Sequence, residues 1–338
     1  MKPKINLIGN THVNRRKNSK NNLIVLLGEF ADDVVDAIIK EVPDGYTLIH
    51  DKTLDYIKDA DYIIMGGGAS LPCSLIEDAN NLKFIQKWGI GVDKIDLKAA
   101  KNKNIPVAIT AGSNADVVAE FAVLLMLALY RHLPFVSTKL SEGLWYRKEM
   151  RSVSYMIKGK LVGIIGLGHI GRKVAKKLTG FDANIQYYDI NRISYEDEEK
   201  LNIRYCELNK LLKTSDIITL HLPLDENTQN FINAKRISLM KPSAILVNTA
   251  RGAIIDENAL AEALRNKKIW GAGLDVYSNE PPWESPLIQL ENVIATPHIA
   301  GSTFDNVSNV ARHCFRNIQL FNKGLSIPKK DLVEIRSE

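Results

Sequence analysis

Residues 161–171 have the sequence Leu-Val-Gly-Ile-Ile-Gly-Leu-Gly-His-Ile-Gly, in which an apolar run leads directly into the spacing Gly-x-Gly-x-x-Gly. An acidic residue, Asp189, follows about 20 residues further on, at the end of a second apolar run. The glycine spacing alone is a weak signal, because glycine-rich turns without a ligand share it. A strand before it, a helix after it and the acidic residue together form the fingerprint of a dinucleotide-binding βαβ unit.

The three glycines have separate mechanical roles in such a unit. Gly166 forms the tight turn, Gly168 lets the backbone approach the pyrophosphate, and Gly171 allows the helix to pack closely on the strand. The pyrophosphate is expected at the positive N-terminus of the helix, near the backbone amides of His169 and Ile170.

Asp189 and Arg192 both bear on the choice between NAD and NADP. The Asp189 carboxylate is expected to accept hydrogen bonds from the adenosine ribose hydroxyls and to repel a 2′-phosphate, which favours NAD. An arginine in this region can instead bind that phosphate, and Arg192 follows closely. NAD is therefore the expected cofactor, and the strictness of the preference stays open.

The rest of the chain alternates short apolar runs with amphipathic stretches, a pattern typical of βα units around a parallel sheet. In the first part, the segments are 23–27, 33–40, 62–65, 74–80 and 84–88. In the second part, the expected strands are 161–165, 185–188, 217–220, 244–248, 273–276 and 293–295.

A long apolar segment, 114–131, marks the boundary between two lobes. Asn114 can cap a helix there, and Pro134 prevents its continuation. Because nearly every side of this helix is apolar, we expect it to be buried all round, between lobes or between subunits. The amphipathic segment 307–321 is expected to pack back on the first lobe. The predicted domains are 1–111 with 304–338, and 112–303.

Composition excludes several classes of protein. The chain has 338 residues, 45% of them hydrophobic and 25% charged, as in an ordinary globular protein of two domains. No charge-free apolar run approaches the ~18 residues of a membrane span, and the N-terminus lacks a secretory signal. The cysteines Cys73, Cys206 and Cys314 have no metal-ligand spacing. We expect a cytoplasmic protein without a metal or a membrane partner.

The net charge of +5 is compatible with anionic substrates and cofactors. The densest basic run, residues 15–20, lacks the interleaved aromatic residues of a nucleic-acid site. A solvated loop is the preferred interpretation, so no nucleic-acid partner is expected.

Three residues of the C-terminal half supply the groups that reduction of a 2-keto acid requires. His298, after Pro297 at a strand end, can donate the proton to the oxygen. Glu280 beside an imidazole would stabilise its protonated form and orient the ring. The forked guanidinium of Arg251 can bind a carboxylate and the keto oxygen together and stabilise the developing charge. Taken alone, His298 would more often be a structural loop histidine, Arg251 could be a surface residue, and Glu280 could be solvated.

Four motifs together resemble those of the D-isomer-specific 2-hydroxyacid dehydrogenases, a family that includes phosphoglycerate dehydrogenases and glyoxylate/hydroxypyruvate reductases. The resemblance extends from about Leu23 to about Phe321. The motifs, in family order, are 166–171, 248–252, 273–276 continuing to Glu280-Pro281, and 296–301. The resemblance implies a flavodoxin-like substrate lobe, a Rossmann NAD-binding lobe with parallel sheets, and a homodimer formed through the cofactor lobe.

The resemblance also assigns roles to individual residues. It implies that Arg251, Glu280 and His298 are catalytic and that the product has the D configuration. Besides the fingerprint residues and Asp189, the implied cofactor contacts are His221, Leu222, Pro223, Thr249, Ala250, Arg251, Asp275 and His298.

The first lobe should hold the substrate carboxylate through the backbone amides of the loop Gly89-Ile90-Gly91. Lys87, just before this loop, can bind a carboxylate or phosphate or can be a solvated strand-end lysine. The chain has Ala111-Gly112 where the family usually has Pro-Gly. Residues 66–70 contain no arginine, and this absence weakens the case for a phosphorylated substrate. No regulatory domain is expected.

Two other functions share this scaffold. One is a non-catalytic NAD(H)-sensing protein, similar to the transcriptional corepressors that retain a comparable triad. The other is oxidation of an inorganic or one-carbon acid, such as phosphite or formate. The complete set Arg251, Glu280 and His298 favours keto acids. Among small 2-keto acids the substrate stays open.

Overall fold

The computed structural model describes residues 21–334, so the basic run 15–20 lies outside the described residues. The chain forms two compact units, which divide after Asn114 and after Ser302. Of the described residues, the first unit contains 21–114 together with 303–334, and the second contains Ala115–Ser302.

The first unit is built on a five-stranded parallel sheet with the order β2-β1-β3-β4-β5. This order is that of the flavodoxin-like fold, so the expected fold of this lobe is confirmed. The strands are β1 (Asn22–Leu27), β2 (Tyr46–His50), β3 (Tyr62–Met65), β4 (Phe84–Lys87) and β5 (Val107–Ala108).

Two apolar layers cover the faces of this sheet. One contains buried residues of α1 and α12, and the other contains buried residues of α2 and α3. The C-terminal helix therefore packs on the first unit, as predicted. The helices are α1 (Asp32–Lys40), α2 (Cys73–Asp78), α3 (Leu97–Asn102) and α12 (Val307–Asn322).

The buried Asp331 fixes the C-terminal segment to the edge of this sheet. Its backbone carbonyl accepts from Ile109 N at 2.7 Å, and its carboxylate accepts from Ala111 N at 3.2 Å. The carboxylate also pairs with His313 at 2.8 Å and Arg316 at 3.1 Å. The hydrogen bond from Ala111 to Asp331 therefore stabilises the turn at Ala111-Gly112, where the family usually has Pro-Gly.

The second unit is built on a seven-stranded parallel sheet with the order β12-β11-β10-β9-β6-β7-β8. The order reverses between β6 and β9, as in a Rossmann fold, which confirms the second expected lobe. The strands are β6 (Leu161–Ile165), β7 (Asn184–Tyr188), β8 (Arg204–Tyr205), β9 (Ile217–Leu220), β10 (Ile245–Asn248), β11 (Gly271–Leu274) and β12 (Val293–Ala295).

Two larger apolar layers enclose this sheet. The helix α4 packs against α7 and against β10, β11 and β12. The helices are α4 (Ala115–Tyr130), α5 (Leu133–Ser141), α6 (Met150–Val153), α7 (His169–Thr179), α8 (Tyr195–Leu201), α9 (Leu208–Thr214), α10 (Ala234–Ile237) and α11 (Glu257–Arg265).

One expectation about α4 was wrong. Asn114 does not cap the helix through its side-chain oxygen, because Oδ1 is buried and accepts no hydrogen bond from the residues that the structure describes. In one chain, Asp116, Glu120 and the 48% exposed Leu124 face solvent, so the expected burial on every side stays a prediction that needs a second subunit. Within a single chain, α4 therefore leaves one stripe uncovered.

The strand expected at 273–276 was placed too late, since β11 is Gly271–Leu274. Its first three residues, Gly-Ala-Gly, lack the branched and aromatic side chains that indicate a strand. Asp275 and Val276 were assigned to the strand but begin the loop that follows it.

Within residues 21–334, no single helix is long and apolar enough to cross a membrane, although α4 and α5, bent by 60°, pass that test as a pair. The same residues contain no group of three or more His, Cys, Asp or Glu side chains that could hold a metal ion.

Candidate active site

The three predicted catalytic residues all follow strands of the second sheet. Arg251 follows β10, Glu280 lies in the loop after β11, and His298 follows β12. Neighbouring parallel strands end at the same edge of a sheet, which is where open α/β sheets bind their ligands. The topology therefore brings the three loops to one edge of one unit.

Glu280 and His298 form a direct pair. His298 Nδ1 lies 2.9 Å from Glu280 Oε1 and 3.0 Å from Oε2. A carboxylate can only accept here, so Nδ1 carries a hydrogen and donates to it. Nε2 is then the ring atom that can exchange a proton with a substrate. The His298 side chain is 47% exposed, so the ring is accessible.

The backbone of His298 is left-handed, with φ of 53°. This conformation costs a residue with a Cβ on the order of 1–2 kcal/mol. Such outliers persist where the surrounding structure over-determines them, and they concentrate at functional sites.

The carboxylate of Asp275 anchors the loop that carries His298. Its Oδ1 accepts from Thr296 Oγ1 at 2.7 Å and from Ile299 N at 2.9 Å, and its Oδ2 accepts from Ala300 N at 2.7 Å. Hydrogen bonds to a charged group contribute roughly 1.5–3 kcal/mol each, so three of them exceed the backbone strain. Burial raises the pKa of Asp275, and these hydrogen bonds oppose that rise. Its expected contact with the cofactor remains a prediction.

Tyr277 connects the β11 loop to the same segment. Its hydroxyl lies 3.1 Å from Leu274 O and 3.2 Å from Thr296 O. Its backbone amide donates to Glu280 Oε1 at 3.3 Å. Burial raises the pKa of Tyr277 to about 12, so the phenol stays protonated and can serve as the donor.

Glu257, which the sequence did not single out, supports Glu280 indirectly. Its Oε1 accepts from Ser278 N at 2.6 Å, and its Oε2 accepts from Ser285 Oγ at 2.6 Å. The two oxygens hold both ends of the segment that carries Glu280. In sequence, the pair Asp256-Glu257 indicates only a helix start, because Asp256 is the N-cap of α11.

The Arg251 loop packs directly on the Glu280 loop. A Cβ at Gly252 would overlap the backbone of Tyr277 and Ser278, so only glycine fits there. Asn248 Nδ2 donates to Arg251 O at 2.9 Å, and Arg251 Nη1 donates to Ala250 O at 2.7 Å. The loop that carries the guanidinium is thus attached to the loop that carries Glu280.

The glycine fingerprint has the geometry of a phosphate cradle. Gly166 has a φ of 94°, and a Cβ there would lie 2.5 Å from His221 O. Gly168 is exposed at the start of α7 and has open space where a Cβ would be. Asp189 Oδ2 accepts from Leu167 N at 2.7 Å, which fixes the loop relative to the end of β7.

Two buried polar atoms near this edge lack a hydrogen-bond partner among the described residues. They are His221 Nδ1, after β9, and Thr249 Oγ1, after β10. Burial lowers the pKa of His221 to about 3, so its ring is neutral at physiological pH. Buried polar groups without a partner, close to an exposed glycine turn, could form hydrogen bonds with a polar ligand such as NAD. His221 and Thr249, with their neighbours Leu222, Pro223 and Ala250, therefore remain the predicted cofactor contacts.

The predicted substrate loop lies in the first unit, after β4. Gly89 N already donates to Thr110 Oγ1 at 2.9 Å, so the amides of Ile90 and Gly91 are the better candidates for a substrate carboxylate. Lys87 is only 9% exposed, and its Nζ donates to Met65 O at 3.1 Å and Gly66 O at 3.0 Å. Lys87 is therefore a buried strand-end residue and not a solvated one.

The two hydrogen bonds that Glu257 accepts from Ser278 and Ser285 predict an effect of this residue on turnover. Glu257→Ala removes the acceptors for Ser278 and Ser285, and small misplacements at a reactive centre can cost up to ~10²-fold in rate. We expect kcat to fall about tenfold, measured by NADH absorbance with one fixed 2-keto acid. Glu257→Gln retains an acceptor and should recover most of the rate. Glu262→Ala, exposed on the same helix, is the matched control, and equal rates in both alanine variants would contradict the role.

Comparison with known proteins agrees with this geometry. Residues 123–300 match the family described as D-isomer specific 2-hydroxyacid dehydrogenase, NAD binding domain. The chain is 41% identical to a hydroxypyruvate reductase of Thermotoga maritima over 256 residues, which is 75% of this chain and 82% of that protein. It is 42% identical to a D-3-phosphoglycerate dehydrogenase of Methanocaldococcus jannaschii over 266 residues, 78% of this chain but only 50% of that protein. The chain thus spans about half the length of that relative.

A solved structure of similar fold has bound NAD. The NAD-dependent formate dehydrogenase of Staphylococcus aureus, in complex with NAD, superposes with a TM-score of 0.82 and 29% identity. The match covers 93% of this chain and 100% of that one. The cofactor of this chain is NAD, as the family's NAD-binding domain and the glycine cradle agree. The chain belongs to the D-isomer specific 2-hydroxyacid dehydrogenase family.

Proposed function

We propose that this NAD-dependent 2-hydroxyacid dehydrogenase reduces a small, unphosphorylated 2-keto acid to the D-2-hydroxy acid. The observation that carries the proposal is the Glu280–His298 pair, in which the carboxylate engages Nδ1 and leaves Nε2 to exchange a proton. A protonated imidazole is the donor that a keto oxygen needs as it becomes a hydroxyl.

The residues of this chain divide the remaining work. NADH, when bound, supplies the hydride that reaches C2 of the substrate. The protonated His298 donates from Nε2 to the keto oxygen, while Glu280 stabilises the imidazolium through Nδ1. Arg251 binds the substrate carboxylate and stabilises the negative charge that develops on the oxygen. In the oxidative direction, neutral His298 accepts the proton from the hydroxyl.

The amides of Ile90 and Gly91 are the proposed substrate contacts of the first unit. The loop 66–70 contains no arginine, and Lys87 is engaged by two backbone carbonyls, so neither feature favours a phosphate group. The relative of 41% identity is a hydroxypyruvate reductase. Hydroxypyruvate and glyoxylate are therefore the first substrates to test.

The non-catalytic sensor is the alternative that a turnover measurement separates. His298→Ala removes the proton donor but leaves the glycine cradle intact. We expect kcat to fall by at least ~10²-fold, the lower range for a general acid, while the Kd for NADH, measured by fluorescence, stays within about twofold. Near-normal turnover in this variant would remove His298 from the mechanism.

We also propose that the protein is a cytoplasmic homodimer joined through the second unit. Cys73, Cys206 and Cys314 are free thiols, as in a reducing compartment. Large apolar side chains are exposed along α5 and the segment that follows it, beyond what scattered surface residues explain. They are Leu133, Phe135, Leu140, Leu144, Trp145 and Met156.

The proposed dimer predicts that a charged side chain in the interface shifts the protein toward the monomer. Wild-type protein should sediment at twice the chain mass of 37.8 kDa. Trp145→Glu places a charge in the proposed interface, because Trp145 is 73% exposed within one chain, and should shift the protein toward the monomer. Trp283→Glu, at a 78% exposed position outside that segment, is the control. A wild-type monomer would contradict the proposal.

A further inference from the structure

A charged pair involves the loop that carries Asp189, the predicted ribose contact of the cofactor, and the proposed mechanism does not use it. Arg192 follows Asp189 in the loop after β7, and its guanidinium is turned onto Glu198 of α8. Nε lies 2.8 Å from Glu198 Oε1, and Nη2 lies 3.1 Å from Oε2. The contact is a two-pronged one, the strongest geometry for a guanidinium and a carboxylate.

The surroundings hold this pair in place. The Glu198 side chain is only 6% exposed, and its Oε1 also accepts from the Tyr187 hydroxyl at 2.8 Å. The Arg192 guanidinium lies 5.2 Å from the centre of the Tyr205 ring. Arg192 lowers the pKa of Glu198, so the carboxylate is charged at physiological pH.

We propose that Glu198 is a determinant of cofactor selectivity, because it holds Arg192 away from the ribose 2′ position. An arginine near this position of a Rossmann fold accommodates the 2′-phosphate of NADP. Here the carboxylate of Glu198 engages Nε and Nη2 of Arg192 and thereby fixes the direction of the guanidinium. Asp189 repels the phosphate, and Glu198 withholds the cation that would attract it. The inference rests on the NAD site of the second unit and not on the substrate.

The variant Glu198→Gln separates this role from a structural one. Its amide oxygen can still accept from Tyr187, and the residue keeps nearly the same volume. The charge that holds Arg192 is lost, so the guanidinium becomes available to a phosphate. A purely structural tie between the β7 loop and α8 predicts a change in stability alone.

The test measures the Kd of NADH and of NADPH by fluorescence, without substrate, in wild type, E198Q, R192A and E198Q/R192A. We expect E198Q to tighten NADPH about tenfold, the factor for one charge-assisted contact of ~1.4 kcal/mol. The Kd of NADH should change by less than about twofold. In E198Q/R192A, the Kd of NADPH should return to the wild-type value. Thermal unfolding checks that each variant is folded.

R192A keeps the test decisive even where E198Q does not fold. If Glu198 already withholds Arg192 in the wild type, R192A leaves the ratio of the two Kd values unchanged. A tenfold weaker NADPH affinity in R192A, an unchanged NADPH Kd in a folded E198Q, or a gain that survives in the double variant would each overturn the proposal. Because no turnover is measured, failure here is distinct from failure of the proposed reaction.

Discussion

The buried carboxylate of Asp275 is the constraint on which the reactive centre depends. It accepts three hydrogen bonds from residues 296–300, and these stabilise the loop in which His298 has a left-handed conformation. The imidazole is thereby directed to Glu280, which engages Nδ1 with both oxygens. A buried carboxylate is costly, and here the hydrogen bonds that it accepts reduce the cost and fix the loop that carries the proposed proton donor.

The parallel sheet explains why three distant parts of the sequence can cooperate. Arg251, Glu280 and His298 follow β10, β11 and β12, which are neighbours in the sheet. Other residues then join these loops. Glu257 binds both ends of the segment that carries Glu280, and the Tyr277 hydroxyl contacts the carbonyl of Thr296. Gly252 packs against the backbone of Tyr277. Rigid support of this kind is what proton transfer requires, because the donor must be in position before the oxygen charge develops.

Much of this arrangement could be predicted from the sequence because the signals are local. The fingerprint at 166–171 and the apolar runs of β6, β9 and β12 have their expected bounds. β11 was misplaced because glycine and alanine carry little strand signal. Glu257, Tyr277 and the Arg192–Glu198 pair could not be recognised, because their roles depend on tertiary contacts. The sequence shows that α4 is apolar on nearly every side, but which of these sides the rest of the chain covers depends on tertiary packing.

The most direct measurement of the central claim is the loss of NADH absorbance with purified wild-type protein. The substrates are hydroxypyruvate, glyoxylate, pyruvate, branched 2-keto acids and 3-phosphohydroxypyruvate, with formate and NAD as a separate arm. The Glu280–His298 pair predicts rapid turnover of at least one unphosphorylated 2-keto acid. Tight NADH binding without turnover of any acid would contradict the enzyme mechanism and favour a sensor, and turnover of formate alone would contradict the assigned chemistry.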